Sequence, residues 1–246
     1  MRLAIVTGTW MRPEIFEMFA AGVKHLQTST PGIEIICCVA GSEGYLSRTM
    51  VERNQNFFYT ETPNVPLGRK MNAAAYLAQK LSPNYCLMVG SDDIIGASLM
   101  QEYAAAMARG IDYAYLMDCY FFDTRTRHGL YWGGYRKNFN SGKPLGMGRL
   151  ISAKFLNMIN WVCWPEGYDK ILDTGFDKQV SRFGAMIKTR AINLKASGLF
   201  ALDIKSSTNM TPFDLWDNST YLDGRKLLFD NLPEDLAAKI YGPDKT

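Results

Sequence analysis

Two neighbouring carboxylates, Asp92 and Asp93, follow the apolar run Tyr85-Cys86-Leu87-Met88-Val89 after a Gly90-Ser91 turn, and Ile94-Ile95 come next. Like charges side by side at the end of a buried strand cost free energy unless a cation or a set of donors answers them. Carboxylates suit Mg²⁺ or Mn²⁺, which take one or two protein acids and complete their shells with substrate phosphates. The expected chemistry is therefore that of an enzyme using an activated, phosphate-bearing donor.

A second group of polar residues opens the helix that precedes this strand, Gly68-Arg69-Lys70-Met71-Asn72. A helix N-terminus attracts anions, and Arg69 and Lys70 add donors for phosphate or base. Asn72 is expected to bond a nucleoside or to orient the acidic loop. A third group, Asp173-Thr174-Gly175-Phe176-Asp177, spaces two acids by about one helical turn. Asp177 is the first choice for a general base that takes a proton from an acceptor hydroxyl, and Asp173 the second. The alternative for both is helix capping. Lys205, with Ser206 and Ser207, follows the last strand and is placed to close over a diphosphate. Trp132 and Trp164 are candidates for stacking on an acceptor sugar, against the alternative that they are core.

The elements that must hold these groups alternate. Strands are expected over Leu3–Thr7, Ile33–Ala40, Asn56–Thr60 and Tyr85–Gly90, with helices after Pro13, around Leu46, from Arg69 to Lys80 and from Ser98 to Arg109. Alternation of this kind predicts an α/β fold, a mostly parallel sheet flanked by helices, whose ligands sit at the carboxyl ends of the strands. The loops carrying Thr7 and Thr9, Ser42 and Glu43, and Asp92 and Asp93 should then line one cleft. Beyond Gly110, Tyr113–Phe122 and Leu130–Tyr135 around Thr124–Arg127 predict an additional β-hairpin, and a helix is expected over Ala153–Val162. No linker or repeat interrupts the chain. A single domain over 1–246 is expected, with 1–110 as nucleotide-binding half and 111–246 as acceptor-binding half.

Composition narrows the class. The 246 residues are 47% hydrophobic and 21% charged, with a net charge of +3, too small to argue for nucleic acid. Five cysteines in no CxxC pair and two histidines offer no zinc site, and buried thiols are expected. No run approaches the ~20 apolar residues of a membrane helix, and the N-terminus does not read as a signal peptide, so the expected location is cytoplasmic.

With these residues in place, the chain resembles a GT-A (nucleotide-diphospho-sugar transferase-like) glycosyltransferase, in the layout of family 2. The resemblance runs over roughly residues 1 to 205 in the order of elements. It implies that Thr7 and Thr9 hold the nucleotide, that Glu43 meets the base, and that Arg69, Lys70 and Asn72 match the basic residue and Asn of the helix before the acidic strand. The family's Asp-x-Asp-Asp aligns with Gly90-Ser91-Asp92-Asp93, so this chain departs from it at Gly90 and metal binding would fall on Asp92 and Asp93. The family's Glu-Asp catalytic pair resembles Phe176-Asp177 with Arg182 following, its Glu replaced by Phe176. Gly146-Met147-Gly148 resembles the acceptor-side segment. The resemblance implies a metal-dependent (Mn²⁺ or Mg²⁺), inverting transfer from a nucleotide sugar, a UDP-sugar first, to a saccharide, a metabolite, a protein or a modified nucleic-acid base. The last follows from Arg125, Arg127, Arg136, Lys137 and Lys143, which give the hairpin a basic cast. The alternatives are a sugar-phosphate nucleotidyltransferase and a non-catalytic carbohydrate-binding protein on a degenerate transferase fold.

Overall fold

The computed structural model describes residues 1–136, 141–170, 172–207, 213 and 219–243. Its first half follows the alternation in the sequence: β1 (Arg2–Gly8), α1 (Pro13–Ser29), β2 (Glu34–Gly41), α2 (Tyr45–Glu52), β3 (Phe57–Glu61), α3 (Leu67–Lys80), β4 (Tyr85–Met88), β5 (Asp93–Ile95) and α4 (Ala97–Ala108). Then come β6 (Tyr113–Leu116), β7 (Cys119–Asp123), β8 (His128–Trp132), β9 (Arg149–Ser152), α5 (Ala153–Met158), α6 (Leu172–Phe183), β10 (Thr189–Ile192) and α7 (Leu194–Ser197). The chain closes with β11 (Ala201–Lys205), β12 (Ser219–Asp223), α8 (Gly224–Phe229) and α9 (Glu234–Tyr241).

Seven strands form one sheet in the order β10-β6-β9-β4-β1-β2-β3. β3, β2, β1 and β4 run parallel, and β9 is antiparallel to both β4 and β6. Strands β1 and β2 are buried almost throughout because helices cover both faces, which is why they read as continuous apolar runs. The apolar face of α1 (Phe16, Phe19, Val23, Leu26) packs on one side with Leu3, Ile5, Cys37 and Val39. Ala74, Ala75 and Ala78 of α3 pack on the other with Ala4, Val6 and Cys38. Small residues on α3 let its backbone lie close to the sheet.

The second sheet, β12-β8-β7-β11-β5, differs from the expected lone hairpin. The β7–β8 hairpin is present, with β12 added to one side and β11 to the other. The run Tyr113–Phe122, expected as one hairpin arm, is divided between the two sheets at Met117-Asp118. Asp118 divides it: its buried carboxylate accepts the Leu194 N–H at 2.6 Å and the Lys195 N–H at 3.1 Å, anchoring the start of α7. Short β5, β9, β10 and β12 carry too little periodicity to be read from sequence. Among the described residues no helix is long and apolar enough to cross a membrane.

Candidate active site

The parallel arrangement brings the loops after β1, β2 and β4 to one end of the sheet. Two side chains, buried Lys70 and half-buried Glu43, tie the loop after β1 to its neighbours. The Lys70 ammonium donates to the Thr9 carbonyl at 2.6 Å and to Asn64 Oδ1 at 2.9 Å, and Lys70 is only 2% exposed. Burial lowers its pKa to about 8, with Glu43 pulling it up and Arg12 pushing it down. Glu43 Oε2 accepts the Met11 N–H at 2.8 Å and the Ser47 hydroxyl at 3.0 Å, which fixes the β1 loop against α2. Around them the hydroxyls of Thr7, Thr9 and Ser42 are buried with no hydrogen-bond partner among the described residues. Buried hydroxyls without a partner cost free energy, and three of them collect at neighbouring strand ends.

The other two residues expected with Lys70 lie elsewhere. Arg69 is exposed. Asn72 is fully buried, and its amide is consumed within the protein: Nδ2 donates to the Trp164 carbonyl, and Oδ1 accepts the N–H groups of Cys163 and Trp164. It fastens the 163–164 segment to α3 and, at 0% exposure, is not open to a nucleoside.

At the acidic turn the adjacent carboxylates part company. Asp93 begins β5, is 6% exposed, and turns back to accept the Gly90 N–H at 2.5 Å. Strand pairing sets it directly opposite Asp203 of β11. Burial first, then Asp203 and Asp92, raise the Asp93 pKa far above the carboxylate range. Asp203 is raised as well, by burial, and its Oδ1 has no partner among the described residues, while Oδ2 accepts the Lys205 ammonium at 2.7 Å. Lys205 thus sits inside the acidic cluster, 5% exposed and 4.9 Å from the Phe121 ring centre. Asp92 turns the other way and receives the Arg12 guanidinium at 2.8 Å. At Gly90, where the resembled pattern has an acid, a Cβ would lie 2.4 Å from Asp92 Oδ1. Arg12 and Asp203 carry no sequence signal of their own, because strand pairing and loop closure bring them in.

The third group assembles around a residue that sequence reading missed. Arg149 starts β9 opposite Met88, the last residue of β4, and so stands at the same end of the sheet as the acidic turn. It is 1% exposed, donates from Nε to the Leu145 carbonyl at 2.8 Å, and lies 5.2 Å from the Phe176 ring centre. Its Nη2 faces Asp173 at 3.4 Å and Asp177 at 3.5 Å. Burial raises the Asp177 pKa, and Arg149 opposes that rise. Gly146 leaves room for this cluster, since a Cβ there would lie 2.8 Å from the Asp173 carboxylate. A groove of about 460 Å³ lined by Pro165, Tyr168, Thr174, Lys178 and Arg182 borders α6 without including either acid.

The aromatic candidates are core. Trp132 packs on Phe121 and Tyr135, and Trp161 and Trp164 are buried in the cluster under α3. The basic residues of the hairpin stay at the surface: Arg125 pairs with Asp123 while half exposed, Arg127 lies over the Tyr241 ring, and Arg136 is exposed. Lys137 falls outside the described residues.

No family model and no curated protein sequence matches the chain. Solved structures do. A mannosyltransferase from Pyrobaculum calidifontis, PcManGT, in complex with GDP-Man and Mn²⁺ is similar over 87% of this chain at a TM-score of 0.56 and 10% identity. This chain spans 58% of that protein's length. S. aureus TarS 1-349 in complex with UDP is similar over 100% of this chain and 67% of its own, at a TM-score of 0.54 and 12% identity. At such identities the likeness is one of fold, and the fold is that of GT-A-like glycosyltransferases.

Proposed function

We propose that the protein is a glycosyltransferase that moves a sugar from a nucleotide-sugar donor to an acceptor hydroxyl with inversion. The observation that carries this reading is the meeting, at the carboxyl end of a GT-A-like sheet, of two cations, an acidic turn and three buried hydroxyls that have no partner among the described residues. Thr7, Thr9, Glu43 and Lys70 would take the nucleotide, and Lys205 would hold the acidic cluster together rather than close over the diphosphate. Residues 1–110 would thus serve the donor and 111–246 the acceptor.

The residues present fit a divalent cation of the substrate-bridged kind. Among the described residues no group of three or more His, Cys, Asp or Glu side chains is arranged to hold a metal by itself. Mg²⁺ and Mn²⁺ need no such cage when substrate phosphates complete the shell. Asp92, with Asp93 beside it, would hold the ion, which when bound neutralises the charge of the leaving nucleotide.

On the acceptor side Asp177 would remove the proton from the attacking hydroxyl, with Asp173 as the second choice. Burial raises the Asp177 pKa and makes it a stronger base than an exposed aspartate, and Arg149 opposes that rise. The acceptor is a saccharide first, with a metabolite, a protein or a modified nucleic-acid base as further classes. A cytoplasmic setting suits five cysteines that are all buried free thiols.

The test is a thermal-shift screen of UDP-, GDP-, CMP- and dTDP-sugars with and without Mn²⁺. UDP-sugars come first, and the two neighbours solved with UDP and GDP-Man set the leading pair. A ligand that binds only the native chain raises Tm. The expected outcome is a rise with one nucleotide class that grows with Mn²⁺, and no rise with any of them overturns the reading. Gly90 and the Arg12–Asp92 pair favour one rival, a carbohydrate-binding protein without activity. Asp92→Asn separates the two, because Asp92 can be changed with less harm to the fold than buried Asp93. Loss of donor hydrolysis with Tm kept supports the transferase, and an unchanged variant supports the binding protein.

A further inference from the structure

Arg12 stands at the N-cap of α1, where its side chain makes no capping hydrogen bond. The needs of the helix therefore do not account for where its guanidinium goes. It crosses instead to a turn 80 residues away: Nη1 lies 2.8 Å from Asp92 Oδ2, and Nη2 lies 3.0 Å from Ser91 Oγ and 3.5 Å from Asp92 Oδ1. The partners keep 20% and 15% side-chain exposure, so the pair lies at the cleft surface rather than sealed beneath it. The other cation of the cluster, Lys205, has a side chain only 6% exposed and is bound to Asp203. Of the two, Arg12 is the one with access to a ligand. A guanidinium fork matches the paired oxygens of a carboxylate or of a phosphate, and it exchanges one for the other without changing shape.

We infer that Arg12 is a ligand for the donor's diphosphate, and that Asp92 and the diphosphate compete for its one fork. The inference rests on the nucleotide-sugar reading above. A divalent cation on Asp92 neutralises the carboxylate and shifts the guanidinium toward phosphate, so cation and nucleotide bind cooperatively through Arg12. The cation alone must displace Arg12 from Asp92, and its affinity is held down by that competition. A residue with a structural role only would weaken both ligands when removed. Competition instead predicts effects of opposite sign.

The experiment measures Mn²⁺ alone, by the electron-spin signal of the free ion, and UDP or GDP with saturating Mn²⁺, by calorimetry, on the whole chain. Arg12→Gln should bind Mn²⁺ alone more tightly than wild type, and should bind the nucleoside diphosphate about tenfold more weakly, the scale of one lost charge-assisted contact. Arg12→Lys keeps the charge without the fork and should fall between the two on the nucleotide. If Mn²⁺ affinity is unchanged or lower in Arg12→Gln, or if nucleotide affinity is unchanged in both variants, the inference is overturned. If wild type itself binds neither nucleotide, the donor reading fails with it, and that result is distinct from a wild type that binds while the variants bind equally. Should Arg12→Gln not fold, Arg12→Lys carries the same comparison.

Discussion

The acidic turn at β4–β5 and the acidic first turns of α6 both set two aspartates beside an arginine at one end of the same sheet, yet they are built differently. At the turn the acids are held by backbone: Asp93 accepts an N–H within its own loop and faces Asp203 across a strand pair, while Asp92 looks outward to an arginine that is itself partly exposed. On α6 the arrangement is inverted, with the arginine at 1% exposure and the acids toward solvent, where the side chain of Asp173 is 45% and that of Asp177 19% exposed. A partly exposed cation at the cleft surface suits ligand exchange, whereas a buried cation beneath accessible acids suits holding a base in place. The two clusters should therefore answer mutation in different currencies: binding at the turn, turnover and stability at α6.

The largest expected effect breaks the α6 side. Asp177→Asn should lower the transfer rate by about 10²–10⁴-fold, the usual contribution of a positioned general base, while nucleotide binding measured by calorimetry stays unchanged. Equal loss from Asp173→Asn with Asp177→Asn silent would exchange their roles. Next, Arg149→Met leaves the Leu145 carbonyl without its buried donor and the two carboxylates without their counter-charge, and should cost about 1–3 kcal/mol in urea unfolding. An exposed-type pair would lose less than about 1 kcal/mol, and such a value would erase the contrast between the clusters.

Gly90→Ala tests the turn. Its Cβ would meet Asp92 Oδ1, the end of a side chain that can turn away, so the variant should lose about 0.5–1.5 kcal/mol by the same unfolding measurement, and its Mn²⁺ affinity should change as Asp92 moves. The last test concerns Lys70. Its pKa of about 8 in the folded chain lies below the 10.5 of an unperturbed lysine, so between those values the unfolded chain holds the proton more firmly. Stability should accordingly rise with pH across that window, by at most about 1.4 kcal/mol per pH unit, and the contribution should vanish in Lys70→Met. Buried tyrosines and cysteines work in the opposite sense at high pH, so the difference between wild type and variant from pH 8 to 9.5 is the quantity to read.

What could be read from residues alone was whatever is local or periodic. The apolar runs of β1, β2 and β4, the spacing of α1 and α3, and the break of texture after Gly110 each follow from side chains within a few positions of one another, and they sufficed for an α/β sheet with its loops gathered at one end. The pair Asp92-Asp93 was visible as a pair for the same reason. Its division into one inward and one outward carboxylate was not, because that depends on a strand 110 residues further on, β11, pairing with β5. Asn72 shows the same limit: its place on α3 is local, but its commitment to Trp164 comes from a segment that only packing brings near. Arg12 and Arg149 read as ordinary surface arginines in a sequence, and long-range closure makes one a cleft ligand and the other a buried support. Local chemistry thus set which groups were present and at which end of the sheet, and tertiary contacts decided their partners, their burial and hence their charge.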